Sequence, residues 1–174
     1  MAEMVAFIPG THEADLRALL TAYLEEGAAG LKQAFDFEQD IPAAVDGMMG
    51  HLAQFAPPSG RLLLVIEGNT VLGCGALRPI APEVAEIKRM YLRPEARGRG
   101  LCRQLLEALL IAARQVGHQE VRLDTPGLMP AAHRLYRTAG FTPCGPHPES
   151  EIPVEFHDRC LFFRRDLTAG NFVS

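Results

Sequence analysis

The run Tyr91-Leu92-Arg93-Pro94-Glu95-Ala96-Arg97-Gly98-Arg99-Gly100-Leu101-Cys102-Arg103 holds the densest chemical information in this chain. An apolar, strand-like run precedes it and a helical pattern follows it, so its glycines fall at a strand-to-helix turn. Glycine lets a backbone approach a ligand closely, and the first N–H groups of a helix have no partner inside the helix. Those amides point at whatever lies before the helix, where the dipole favours an anion by about 0.3–1 kcal/mol. Arg97, Arg99 and Arg103 add positive charge, and a pyrophosphate suits the combination. Two further residues carry chemistry of their own. Glu86 is a carboxylate at the start of the preceding strand and can accept a proton. Tyr136 is a phenol, a hydrogen-bond donor near neutral pH.

The elements that position these residues follow from periodicity and breakers. A short strand over residues 4–8 is closed by Pro9-Gly10. The stripe Leu16, Leu19, Leu20, Tyr23 and Leu24 then predicts a helix that stops before Gly27 and Gly30. Asp40 is an acceptable cap for a second helix, with Ile41, Val45, Met48, Met49 and Leu52 on its apolar face. After the break at residues 56–60, residues 61–67 and 70–78 read as strands joined by Gly68-Asn69. Residues 85–93 form a third strand. The helix after Gly100 buries Cys102, Leu105, Leu106, Leu109, Leu110 and Ala113 and stops at Gly117. A strand at 121–124, a shorter helix from Pro130 to Gly140, and strands at 141–144 and 160–165 complete the chain. The order βαα-βββ-α-β-α-ββ implies an α/β (α+β) fold, a mixed sheet covered by helices.

Composition bounds the rest. The 174 residues fit one domain over 1–174, and 48% hydrophobic with 22% charged residues is the balance of a globular core. A net charge of −4 argues against a general affinity for nucleic acid or anionic membrane. Seven arginines nevertheless lie between Arg89 and Arg122, a local excess that points to an anionic ligand. The four cysteines show no disulfide-framework spacing, and apolar runs such as residues 105–113 are too short to cross a bilayer. With no basic-then-apolar leader pattern, the expected location is cytoplasmic, with reduced thiols.

The glycine-arginine segment resembles the acyl-CoA loop of the GNAT superfamily of N-acetyltransferases, whose signature is Arg/Gln-x-x-Gly-x-Gly/Ala. Here it reads Arg97-x-x-Gly100-x-Cys102, with a small Cys in the last place. A second family element, a helix ending in Tyr and followed by Gly-Phe, is matched by residues 132–141 with Tyr136, Gly140 and Phe141. Met129 stands where the family often has an Asn that contacts pantetheine. The resemblance, to small bacterial members, covers residues 61–165 with specific motifs and is architectural before them. It implies the GNAT fold, with a central, mostly antiparallel mixed sheet. It also implies acetyl-CoA as co-substrate, held by Met90, Tyr91 and Leu92 along the strand, by Arg97, Gly98, Arg99, Gly100, Leu101, Cys102 and Arg103 in the cradle, and by Met129 and Ala132. The implied acceptor is a primary amine of a small molecule, amino acid or peptide. By the same analogy a homodimer is expected.

Acetyl transfer to an alkylamine needs a base, because such amines titrate near ~10.4, and it needs a donor for the departing thiolate. The resemblance places Glu86 at the position of a catalytic glutamate and Tyr136 at that of the thiolate's proton donor. Packing roles compete with both: a strand-end carboxylate paired with Lys88 or an arginine, and a phenol stacked beside Leu135 and Phe141. A non-catalytic acyl-CoA-binding module and a protein-modifying enzyme are the alternative functions. Cys144-x-x-His147 and His157-x-x-Cys160 have zinc-like spacing but sit around a loop, so no metal is expected. His147 and His157 line the acceptor pocket on this reading, His118 caps a helix end and His133 lies at the surface. A single Arg-Gly-Arg-Gly without stacking aromatics is poor support for nucleic-acid binding. Residues 25–40 and 143–158 are the expected acceptor loops.

Overall fold

The computed structural model describes residues 1–168. The elements run β1 (Glu3–Ala6), α1 (Glu13–Phe35), α2 (Ile41–Gly50), β2 (Arg61–Glu67), β3 (Thr70–Ala81), β4 (Val84–Leu92), α3 (Leu101–Val116), β5 (Glu120–Pro126), α4 (Pro130–Thr138), β6 (Thr142–Cys144) and β7 (Cys160–Asp166). This is the order expected from the sequence. The seven strands form one sheet in the order β1-β2-β3-β4-β5-β7-β6. Every pairing is antiparallel except β4 with β5. A parallel pair needs a crossover connection, and α3 supplies it.

Two apolar clusters sandwich the sheet. On one side α3 buries Leu105, Leu106, Leu109 and Leu110 against Leu77, Ile87 and Leu123. On the other, Leu16, Leu19 and Leu20 of α1 and Val45 of α2 pack with Phe55, Leu64, Cys74 and Tyr91. Each leucine so buried contributes roughly 1.5–3 kcal/mol. Asp40 caps α2, its side chain accepting from the Ala43 N–H. Several boundaries differ from expectation, and that of α1 differs most: it does not stop at Gly27 but runs through Gly30 to Phe35. Both glycines have nothing within 4 Å of their Cβ direction, so they cost the helix only their propensity, about 1 kcal/mol each.

Two irregularities on β4 shape the site. Its ladder with β5 holds only Val84↔Glu120, Ala85↔Val121 and Glu86↔Arg122. Past that point β5 stays with β7 and β4 with β3, so the two strands part and one edge of residues 87–92 loses its strand partner. Within the β3–β4 pairing, Cys74 faces Tyr91 while Ala76 faces Lys88, which sets Arg89 and Met90 against the single residue Gly75. Arg89 takes φ 56 to make this bulge. The missing Cβ atoms of Gly73 and Gly75 are required, since they would lie 2.5 Å from the Tyr91 carbonyl oxygen and 2.8 Å from the Met90 sulfur.

Candidate active site

The cradle forms as its sequence dictates. β4 ends at Leu92, a 3-10 turn spans Pro94–Ala96, and Gly98 and Gly100 take φ 73 and φ 76 before α3 begins. Gly100 occupies the N-cap position, and no described side chain caps the helix. The first-turn amides are therefore without a capping side chain, at a helix end whose dipole favours negative charge. Beyond Gly98 nothing lies within 4 Å of a Cβ, and beyond Gly100 only the Gln104 amide at 4.0 Å. The residues present fit a pyrophosphate.

The arginines of the cradle depart from expectation. Each already has a carboxylate partner. Arg97 turns back beneath the loop, donating to the Leu92 carbonyl at 2.9–3.1 Å and pairing with Glu26 of α1 at 2.7 Å. Arg99 makes a two-pronged pair with Glu67 at 2.6 and 3.1 Å, and Arg103 pairs with Glu107 one helical turn on. Arg97 thus fixes the loop to α1 and β4. Arg99 and Arg103 sit in exposed pairs, which exchange readily for another anion.

Of the β4 residues, Tyr91 faces α1, its hydroxyl donating to Glu26 at 3.0 Å, while Leu92 faces α3. Met90 is half-buried at the bulge. Their side chains are thus used in packing, and it is the backbone edge opposite β3 that remains. On α4, Tyr136 is 7% exposed and lies edge-on to Phe141 at 5.9 Å and near Phe163 at 6.0 Å. No described residue hydrogen-bonds its hydroxyl. Burial, with the neighbouring Cys102 thiol second, pushes the phenol's pKa up and keeps it protonated. Cys102 is itself half-buried beside the α3 core and is shifted upward by burial. Ala132 packs on the same cluster, and Met129 at the head of α4 is 45% exposed, with the Thr125 hydroxyl 3.9 Å from its sulfur. His133 is not at the surface: it is buried, with Nε2 3.0 Å from the Pro126 carbonyl. His118 is likewise buried, against the Ser59 carbonyl at 3.3 Å.

Glu86 stands at the last rung before β4 and β5 part, and it is fully buried. Arg78, its register partner on β3, pairs with Oε2 at 2.6 Å. His147, from the β6–β7 connection, donates its Nε2 hydrogen to Oε1 at 2.9 Å, and Lys88 lies 3.8 Å from the same oxygen. A carboxylate can only accept, so Nε2 carries the hydrogen of this bond. Its Nδ1 is buried and has no partner among the described residues. Burial opposes ionisation of Glu86, but His147, Lys88 and Arg78 together outweigh it and hold the carboxyl below the usual range. Glu151 completes the network, bridging Arg78 and Lys88 at 3.0 Å each. Ser150 donates to Asp124 at 2.8 Å.

The zinc-like quartet does not assemble. His157 turns to the Ile152 carbonyl at 2.9 Å, and His147 to Glu86. Among the described residues Glu86, Asp124 and His147 instead bring possible ligand atoms within 4.8 Å of one another. Arg78 and Lys88 already supply the positive charge there, so a metal ion would meet two fixed cations. Arg78, Asp124 and Glu151 were not among the expected site residues. Nothing in the sequence marks them, because their proximity depends on strand register and on how the loop at 145–159 folds over the sheet.

The family model for the Acetyltransferase (GNAT) family matches residues 17–141. The chain belongs to this family. An uncharacterised N-acetyltransferase of Schizosaccharomyces pombe is 30% identical over 141 residues, 80% of this chain and 82% of that one. An IAA acetyltransferase of Azospirillum brasilense is 36% identical over 62% of this chain and 71% of its own. Among solved structures, a PaiA N-acetyltransferase from Thermoplasma acidophilum in complex with coenzyme A superposes with a TM-score of 0.74. It is 16% identical, with 95% of this chain and 99% of that one covered. This GNAT protein is an acyl-CoA-dependent N-acetyltransferase with acetyl-CoA as its co-substrate type. Among its described residues no helix is long and apolar enough to cross a membrane.

Proposed function

We propose that this protein transfers acetyl from acetyl-CoA to the primary amine of a small molecule, amino acid or peptide, by direct attack within a ternary complex. The observation that carries the reading is the parting of β4 from β5 beside the uncapped, glycine-bounded start of α3. Acetyl-CoA supplies an activated acetyl group as a thioester. Gly98, Gly100 and the amides of Leu101, Cys102 and Arg103 hold the pyrophosphate, while the free edge of Met90, Tyr91 and Leu92 aligns pantetheine. A small-molecule acceptor is consistent with relatives named for IAA and mycothiol acetylation.

In the reaction the amine nitrogen bonds to the carbonyl carbon and the carbon–sulfur bond breaks. One proton must leave the nitrogen and one must reach the sulfur. Tyr136, protonated and with no hydrogen-bond partner among the described residues, serves the sulfur. Glu86 serves the amine through His147. Both carboxylate oxygens are already engaged, whereas Nδ1 of His147 has no partner among the described residues and is an acceptor in the neutral ring. The test is a screen of primary amines for CoA release, repeated with Tyr136→Phe. Release with at least one amine, lost in the variant, supports the reading. Absence of release with every amine tested contradicts it.

A further inference from the structure

A cavity of about 320 Å³ opens between α2 and the β3–β4 hairpin, bounded by Met48, His51, Gln54, Arg78, Arg89 and Glu151. Its two arginines are in opposite states. Arg78 is saturated: it donates to Glu86, Gln54, Glu151 and the Glu149 carbonyl. Arg89 is not. Its guanidinium stacks on the Phe55 ring at 4.7 Å and makes one long hydrogen bond, 3.4 Å, to the Met48 carbonyl. Among the described residues no carboxylate pairs with it. Among the described residues four of its five N–H donors have no partner, in a group that is half-buried.

A cation taken out of water without a partner is costly, and the chain has placed this one deliberately off the regular ladder, at the bulge where φ is 56. Burial accordingly lowers its pKa, with Glu151 the largest opposing influence. Its side chain lies in the α1–α2 cluster, on the face of the sheet opposite α3, and so is not part of the pyrophosphate cradle. Its backbone, however, directly precedes Met90, the first residue of the β4 edge assigned above to pantetheine. An anion on Arg89 and an amine approaching that strand therefore belong to adjoining parts of one pocket.

We propose that Arg89 is the carboxylate-binding residue of the acceptor site, so that the acceptor is a small amine that also bears a carboxylate, as an amino acid does. The planar guanidinium matches a carboxylate through paired N–H donors. His51, whose Nδ1 donates to the Gly47 carbonyl at 2.7 Å, adds a polar wall to the cavity. A peptide could present the same carboxylate at its C-terminus, and the test separates the two sources. This inference rests on the acetyl-transfer reading above.

The experiment compares amino acids with their carboxamides and decarboxylated amines, and dipeptides with free or amidated C-termini. CoA release is measured with the parent, Arg89→Gln and Arg89→Lys. With the parent, free amino acids should exceed their amides and decarboxylated forms in kcat/KM by about ten- to hundredfold, the value of a charged hydrogen bond. Arg89→Gln should erase that preference through KM, leave the uncharged amines unchanged, and be partly rescued by Arg89→Lys. A simple aliphatic acid that lacks the amine should raise the Tm of the parent but not of Arg89→Gln, a readout independent of turnover. Equal use of acid, amide and decarboxylated amine by the parent overturns the carboxylate assignment while leaving acetyl transfer intact, and requires no variant to fold. Preference for a free dipeptide C-terminus over a free amino acid overturns the small-molecule source. No CoA release from any amine overturns the acetyl-transfer reading and this inference with it.

Discussion

The proposed cofactor side and the proposed acceptor side of this site are built on opposite principles. The cradle at residues 97–103 is one continuous segment, half-exposed, whose chemistry lies in backbone amides and in two glycines with positive φ. The acceptor side is assembled from β3, β4 and the β6–β7 connection, and its chemistry lies in side chains: Arg78, Glu86, Lys88, His147 and Glu151 form one half-buried ionic network. A backbone site recognises a constant group by shape and tolerates variation in its arginines. A side-chain network sets polarity and proton traffic, and is sensitive to each member. Damage on the two sides should therefore look different, in kind as well as in size.

The largest expected effect falls on chemistry alone. Tyr136→Phe removes one hydroxyl from a ring packed on Phe141 and Phe163, so folding and CoA affinity should hold. Loss of a positioned proton donor should lower kcat by about 10²–10⁴-fold. Turnover like the parent's across pH 6 to 9 would make Tyr136 a packing residue only.

Next comes the network. Glu86→Gln leaves Arg78 and Lys88 facing a neutral amide, and breaking a buried pair of this kind costs about 3–5 kcal/mol. For a chain of this size that is roughly 6–20 °C in Tm. Because the folded pKa of Glu86 is lowered, its stabilisation is complete above the ordinary carboxylate value of ~4.3 and fades as pH falls through the lowered folded value. The gap between parent and variant melts should be constant from pH 7 down to that region and narrow only below it. A gap that closes already between pH 7 and 5 would mean that Glu86 is not the ionised centre of the network.

Smaller effects sharpen the cradle half. Arg103→Ala removes an exposed residue paired only with Glu107, so CoA affinity should drop less than about tenfold, and the drop should shrink as salt rises. The smallest effect is none. Zinc added to chelator-treated protein should not shift Tm, since His147 is bonded to Glu86 and His157 to the Ile152 carbonyl, and the four residues Cys144, His147, His157 and Cys160 do not gather their ligand atoms. Stoichiometric zinc by elemental analysis would contradict this.

The same division explains what the sequence could reveal. The cradle was legible because strand, glycine turn and helix are contiguous, and each residue type has a local reason to be where it is. Element order was legible for the same reason, down to Asp40 at its cap. The run of α1 through Gly27 and Gly30 was not, because glycine marks a helix end only weakly and these two face open space. Glu86 could be named from its strand position, yet not its burial, which depends on a loop sixty residues away. Arg89 looked like one of seven similar arginines. Only the bulge opposite Gly75 and the ring of Phe55 single it out.

Calorimetric titration of CoA into the parent, Gly100→Asp and Arg89→Gln tests the division most directly. Aspartate at Gly100 would place a carboxylate at the cradle in a left-handed backbone, at a strain of roughly 1–2 kcal/mol plus like-charge repulsion. CoA affinity should fall about a hundredfold or more in Gly100→Asp and stay at the parent value in Arg89→Gln. Equal CoA affinity in the parent and Gly100→Asp would contradict this.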